Sequence, residues 1–141
     1  MGTITRFEDI GAWQTARELT RLVYRLSNQG SFARDFGLRD QIRRAAVSAM
    51  SNIAEGFESR TLPLFVDFLG RAKGSAGEVR SQAYVALDAE YIDQGQFEQL
   101  FDMADKCSRQ ISRFIDYLNS KPDSRRVHED RIEYDVDSLT R

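Results

Sequence analysis

Chemistry in this 141-residue chain has to come from arginines and carboxylates, because the side chains that usually do catalysis are scarce. Histidine occurs once, at His128 in a charged C-terminal stretch. That excludes two-His zinc sites and Glu-x-x-His di-iron pairs within one chain and leaves histidine-based triads without support. Cysteine also occurs once, at Cys107, so no internal disulfide can form and a reducing cytoplasm is the expected compartment. Two kinds of constellation are left. The first is Arg44, Asn52, Glu55, Ser75 and Glu78, in which Asn52 and Glu55, and likewise Ser75 and Glu78, lie three apart and share a helix face. A carboxylate buried between helices must be paired, and an Arg44 contact with Glu55 or Glu78 would satisfy both charges. The group reads as a structural polar network that fixes helix register. Its rivals are paired-carboxylate catalysis or a metal held by Glu18, Glu55 and Glu78; nothing in the sequence indicates a substrate pocket, and neither catalysis, metal nor cofactor is expected.

The second constellation is basic. Arg17, Arg21 and Arg25 recur every four residues, Arg39, Arg43 and Arg44 cluster, and Arg71, Lys73 and Arg80 follow later. Rows of this kind neutralise phosphates, and Arg17, Arg21, Arg25, Arg43, Arg44, Arg71 and Lys73 are the candidate nucleic-acid contacts. A basic helical face also serves as plain solvated surface or in ion pairing between subunits.

The elements that carry these residues follow from apolar periodicity. Ala12, Ala16, Leu19, Val23 and Leu26 form one stripe, predicting a helix over 9–27 with Asp9 as N-cap and Asn28 to Gly30 as its end. Leu38, Ile42, Ala45, Ala46, Ala49, Ile53 and Phe57 predict a second over 38–57, stopped by Gly56 and the polar run that follows. Thr61 and Pro63 open a third over 63–93, and Phe97, Leu100, Ala104, Cys107, Ile111, Phe114 and Leu118 give a fourth over 96–119. Short links favour an all-α, antiparallel up-down-up-down left-handed four-helix bundle over residues 1–119. Residues 120–141 are charged and predicted flexible, although the alternation of Ile132, Tyr134 and Val136 leaves a short strand or a partner-docking segment as the minority reading.

Small residues crowd helices 2 and 3. Gly70, Gly74 and Gly77 each cost about 1 kcal/mol in a helix interior, so a close backbone approach is expected to compensate. Packing of helix 2 on helix 3 is the favoured explanation, and contact with a neighbouring subunit the sharper one. Phe7, Trp13, Phe32, Phe36 and Tyr91 offer more aromatic surface than one small bundle hides, which favours a homo-oligomer.

Composition fits one ordinary soluble domain with no membrane-spanning run. The chain holds 20 Lys plus Arg against 22 Asp plus Glu, so any affinity for polyanions must be local. Asp88, Glu90, Asp93, Glu98, Asp102 and Asp105 should make one end of the bundle acidic.

The run QIRRAAVSAMSNIAEGF from Gln41 to Phe57, the preceding Phe36, Gly37 and Leu38, the opening FEDIGAWQTAREL from Phe7, and FLGRAKGSAGEVRSQ from Phe68 together resemble the four helix bundle protein family, also called the 23S ribosomal RNA intervening-sequence protein family. The likeness covers roughly residues 7 to 118, with Asn52 to Gly56 its most specific element. Met50 stands where the family usually has proline, which should leave helix 2 straighter and restore a backbone hydrogen bond. The resemblance implies a homopentameric ring. It also implies association with nucleic acid, since some members are encoded inside ribosomal RNA genes of bacteria and others assist retroelement reverse transcriptases. Two function classes are thus expected: a non-catalytic oligomeric accessory protein that binds RNA or DNA, or a protein-binding structural scaffold.

Overall fold

The computed structural model describes residues 2–121 and 133–134. Four helices carry the fold: α1 (Gly11–Ser27), α2 (Phe36–Phe57), α3 (Leu62–Asp88) and α4 (Gln94–Asn119). A 3-10 turn at Phe7–Asp9 precedes α1 and another at Phe32–Arg34 precedes α2. Each helix packs on the next in chain order, and α1 closes on α4. The links at 58–61 and 89–93 are far too short to return along a helix of this length, and the link at 28–35 is taken up by a 3-10 turn that brings Arg43 near the start of α2 onto Ser27 at the end of α1, so neighbours run antiparallel. The cross-helix bonds Ser75–Ser48 and Gln82–Gln41 show the same direction, since one partner moves up the chain as the other moves down.

The helix starts are chemical. Asp35 caps α2 by accepting the Leu38 amide at 3.1 Å, Thr61 caps α3 by accepting that of Leu64, and Asp93 with Gln96 forms a reciprocal capping box at α4. The expected cap of α1 is corrected. Ile10 occupies the N-cap with no side-chain bond, because Asp9 is held in the preceding turn, where Arg6 pairs with it at 3.3 Å. α2 runs unbroken through Met50 and also contains Gly56, which was expected to stop it. α3 ends at Asp88 rather than 93. Its last turn closes when Tyr91 N donates to Ala86 O and Glu90 N donates to Leu87 O, with Glu90 in the left-handed region at φ 62°.

The core falls into two clusters along the bundle. One gathers Ala12, Ile53, Phe57, Phe65, Ile111 and Phe114; the other gathers Leu22, Phe32, Ile42, Val79, Phe97 and Leu100. All seven residues of the α4 seam are buried. The aromatic surplus is largely absorbed within the chain: Phe32 is buried against Tyr91, Phe7 and Trp13 meet edge to face, and only Phe36 of the five is exposed.

The glycine reading also changes. Gly56 is the one at a close approach, since a Cβ there would stand 2.8 Å from Phe65 Cδ1 and 2.9 Å from Phe68 Cβ. Gly70 and Gly74 face open space with nothing within 4 Å, so packing of α2 on α3 does not account for them. At the N-terminus, Gly2–Thr3 pair antiparallel with Glu133–Tyr134, while 122–132 and 135–141 of the charged tail lie outside the described residues.

Candidate nucleic-acid interface

The seven basic residues singled out from sequence do not form one patch. Arg17, Arg21 and Arg25 line the outer face of α1, all exposed. Arg17 lies over the Trp13 ring at 5.9 Å, and Arg21 pairs with Glu18 at 3.0 Å. Arg43 extends this face from α2, with its guanidinium 4.6 Å from the Tyr24 ring centre and its Nε donating to Ser27 Oγ at 2.8 Å. Tyr24 is 44% exposed, so an aromatic ring lies partly open beside Arg43 on this basic surface. Such a ring can stack a base while the arginines meet phosphates.

Arg44 points away from that surface, because successive helix residues are 100° apart. It lines the α2–α3 groove with Gln41, Ser48, Ser75, Glu78 and Gln82. The predicted polar network is corrected here. Among the described residues Arg44 makes no ion pair with Glu55 or Glu78; both carboxylates are exposed, so water meets their charge and no buried partner is required. What joins the helices is neutral. Ser75 Oγ donates to Ser48 Oγ at 3.0 Å, and Asn52 Nδ2 donates to the Ser48 carbonyl and hydroxyl at 2.9 and 3.0 Å. Glu18 belongs to another groove, between α1 and α4, and among the described residues no cluster of three or more potential metal ligands forms.

Arg71 is exposed, paired with Asp67 at 3.3 Å and stacked over Phe68. Lys73, two residues on, turns to the opposite flank of α3 and enters a groove of about 520 Å³ between α3 and α4. Arg80 of α3 and Arg109 and Arg113 of α4 join it there, against a single carboxylate, Asp105. That carboxylate is engaged on both sides, by Arg80 at 3.4 Å and Arg109 at 3.0 Å. Two donors in the groove wall, Arg80 Nε and Ser108 Oγ, are buried without an acceptor among the described residues. Each such orphan ordinarily costs about 1–3 kcal/mol. The sequence reading missed Ser108, Arg109, Ser112 and Arg113, although a Ser-Arg pair repeated four residues later, at 108–109 and 112–113, is the helical signature of one basic, hydroxyl-bearing face.

Of the six acids expected to crowd one end, Asp102 lines the α1–α4 groove and Asp105 the α3–α4 groove, which leaves a smaller group at the turn. Asp88, Glu90 and Asp93 surround the α3–α4 turn, and Asp35 of the α1–α2 link joins them, accepting the Tyr91 hydroxyl at 2.9 Å. Asp35 is held below the usual carboxylate range by the Leu38 amide and then by Tyr91; the same contact pushes the Tyr91 phenol up. Among the described residues no helix is long and apolar enough to cross a membrane.

A family model described as 23S rRNA-intervening sequence protein matches residues 8–113. No curated protein matches. A solved structure from Bacteroides thetaiotaomicron, titled as a protein with unknown function from the S23 ribosomal protein family, is similar at 21% identity with a TM-score of 0.69. The match covers 74% of this chain and 95% of that one, and it bears on the fold.

Proposed function

The chain belongs to the 23S rRNA-intervening sequence protein family, and from that premise we propose that it is a non-catalytic, homo-oligomeric accessory protein that binds nucleic acid in the cytoplasm. The observation that carries the reading is the state of its cations. Arg17, Arg43 and Lys73 have no carboxylate partner among the described residues, and two of the three rest on aromatic faces, where they are available to phosphates and bases. Oligomerisation is supported by Gly70 and Gly74, whose open faces sit on one side of α3 with exposed Ser81 and Val85 and would let a second backbone come close. A ring of five copies, the assembly that the resemblance implies, would repeat each arginine row and add avidity to a nearly neutral chain.

Labelled RNA and DNA titrated with the protein at rising salt test this. Weak binding of both is expected, with little sequence preference and a steep loss with salt; exchanging Arg17, Arg21 and Arg25 together for Gln should weaken every sequence about equally. Absence of binding at low salt would leave the protein-binding scaffold, whose first candidate surface is the acidic end around Asp88, Glu90 and Asp93.

A further inference from the structure

We infer that the α3–α4 groove is a phosphate-binding subsite, and, resting on the nucleic-acid reading above, that it receives a backbone phosphodiester. Three independent features of the groove converge on an oxyanion. Its charge is lopsided, with Lys73, Arg80 and Arg109 around the one lining carboxylate, Asp105, which is already bridged by two of those cations. Its buried orphans are donors: Arg80 Nε has only a hydrogen to offer, and the hydroxyl of Ser108, itself 5% exposed, is free to turn its own toward an incoming acceptor. A ligand that brings acceptors and negative charge completes both.

The third feature is geometry. The register set by Arg80–Asp105 and by the ring contact of Tyr84 with Phe101 places Gly77 opposite Ser108 and Lys73 opposite Ser112. Gly77 contributes no side chain to the α3 wall, and a Cβ there would meet the Arg80 guanidinium at an ordinary 3.7 Å. Donors therefore face the opening from both walls, Lys73 and Arg80 from α3, Ser108, Arg109 and Ser112 from α4. An oxyanion seated between the walls can accept from both at once, as the Asp105 carboxylate already does from Arg80 and Arg109, and a phosphate brings its acceptor oxygens in a tetrahedral array that reaches donors off the plane of a carboxylate.

The test uses the full chain, its amide resonances followed while inorganic phosphate is added at low ionic strength. Saturable shifts are expected at Lys73, Arg80, Ser108 and Ser112. The double variant Lys73→Gln, Arg109→Gln should weaken the apparent affinity at least ten-fold and Ser108→Ala several-fold, with Arg34→Gln as an unaffected control and helix content checked for each by circular dichroism. The second arm is labelled single-stranded RNA, for which the double variant should lower the salt slope by about 1.4, the value for two lost phosphate contacts. Phosphate shifts at the groove without RNA binding would uphold the oxyanion site and sink the nucleic-acid reading. RNA binding of undiminished strength and slope in the double variant would overturn the groove's part in it. No phosphate shifts, equal shifts with hexaglutamate, or loss of oligomer in the double variant with the phosphate response intact, would overturn the subsite.

Discussion

Cys107 sits on α4 with its Sγ 3.7 Å from the Ala12 carbonyl, and burial pushes its thiol up to about 12. Since the thiolate is the nucleophile, native protein at pH 8 should react with a disulfide reagent more than a hundred-fold slower than the unfolded chain; prompt stoichiometric labelling of native protein would contradict the burial. Asp35 behaves in the opposite sense. Its folded carboxyl titrates below its unfolded one, so its contribution to stability is complete above the unfolded carboxylate range and is lost as pH falls through the folded midpoint. The Tyr91 contribution is present below the ordinary phenol range and disappears as pH rises through the raised folded value. Carboxyl resonances followed against pH should show the Asp35 midpoint move up in Tyr91→Phe, with a residual depression left by the Leu38 amide. An unchanged midpoint would mean that the phenol does not donate to it.

Helix ends and helix glycines give the element-scale tests. Gly56→Ala should destabilise by about 1–3 kcal/mol despite alanine's better helix propensity, because its Cβ would overlap Phe65 and Phe68. In Gly70→Ala and Gly74→Ala the added methyl meets nothing within the chain, so the bundle itself should gain up to about 1 kcal/mol each from helix propensity while the oligomer weakens; denaturant melts of the dissociated chain and light scattering read the two effects separately. Glu90→Gly should also gain up to about 1 kcal/mol, since it relieves a non-glycine residue at φ 62°. These elements also show what was legible in the chain. Periodicity located all four helices, because Ala16, Leu19, Ile53, Phe65 and Phe114 obey a face requirement that burial enforces. It placed the start of α2 two residues late, because Phe36 is exposed and Gly37 carries no face information, and the end of α3 five late, because Glu90 makes the left-handed turn that glycine usually marks. The grooves were hidden for another reason. Which side chain of α3 meets which of α4 is a matter of register between helices, and a one-helix pattern does not contain it; Lys73 was therefore grouped with Arg71, from which it turns away, and not with Arg109.

At the scale of the whole molecule, light scattering coupled to gel filtration should report five chain masses at micromolar concentration. A monomer would remove the avidity argument and leave Gly70 and Gly74 without a reason. Phe114→Ala should cost about 3–5 kcal/mol wherever the assembly ends, since Phe114 is 1% exposed and meets Phe65 edge to face at 5.3 Å. The antiparallel order of the helices has a consequence in time. Three of the four helix pairs close across links of a few residues, so they can nucleate locally, whereas the pairing of α1 with α4 must wait for a loop that spans most of the chain. Cys107, packed beneath Ala12, lies at that last seam. During refolding its thiol should therefore stay open to a labelling pulse after helical signal has returned, and the moment it closes marks the shutting of the bundle.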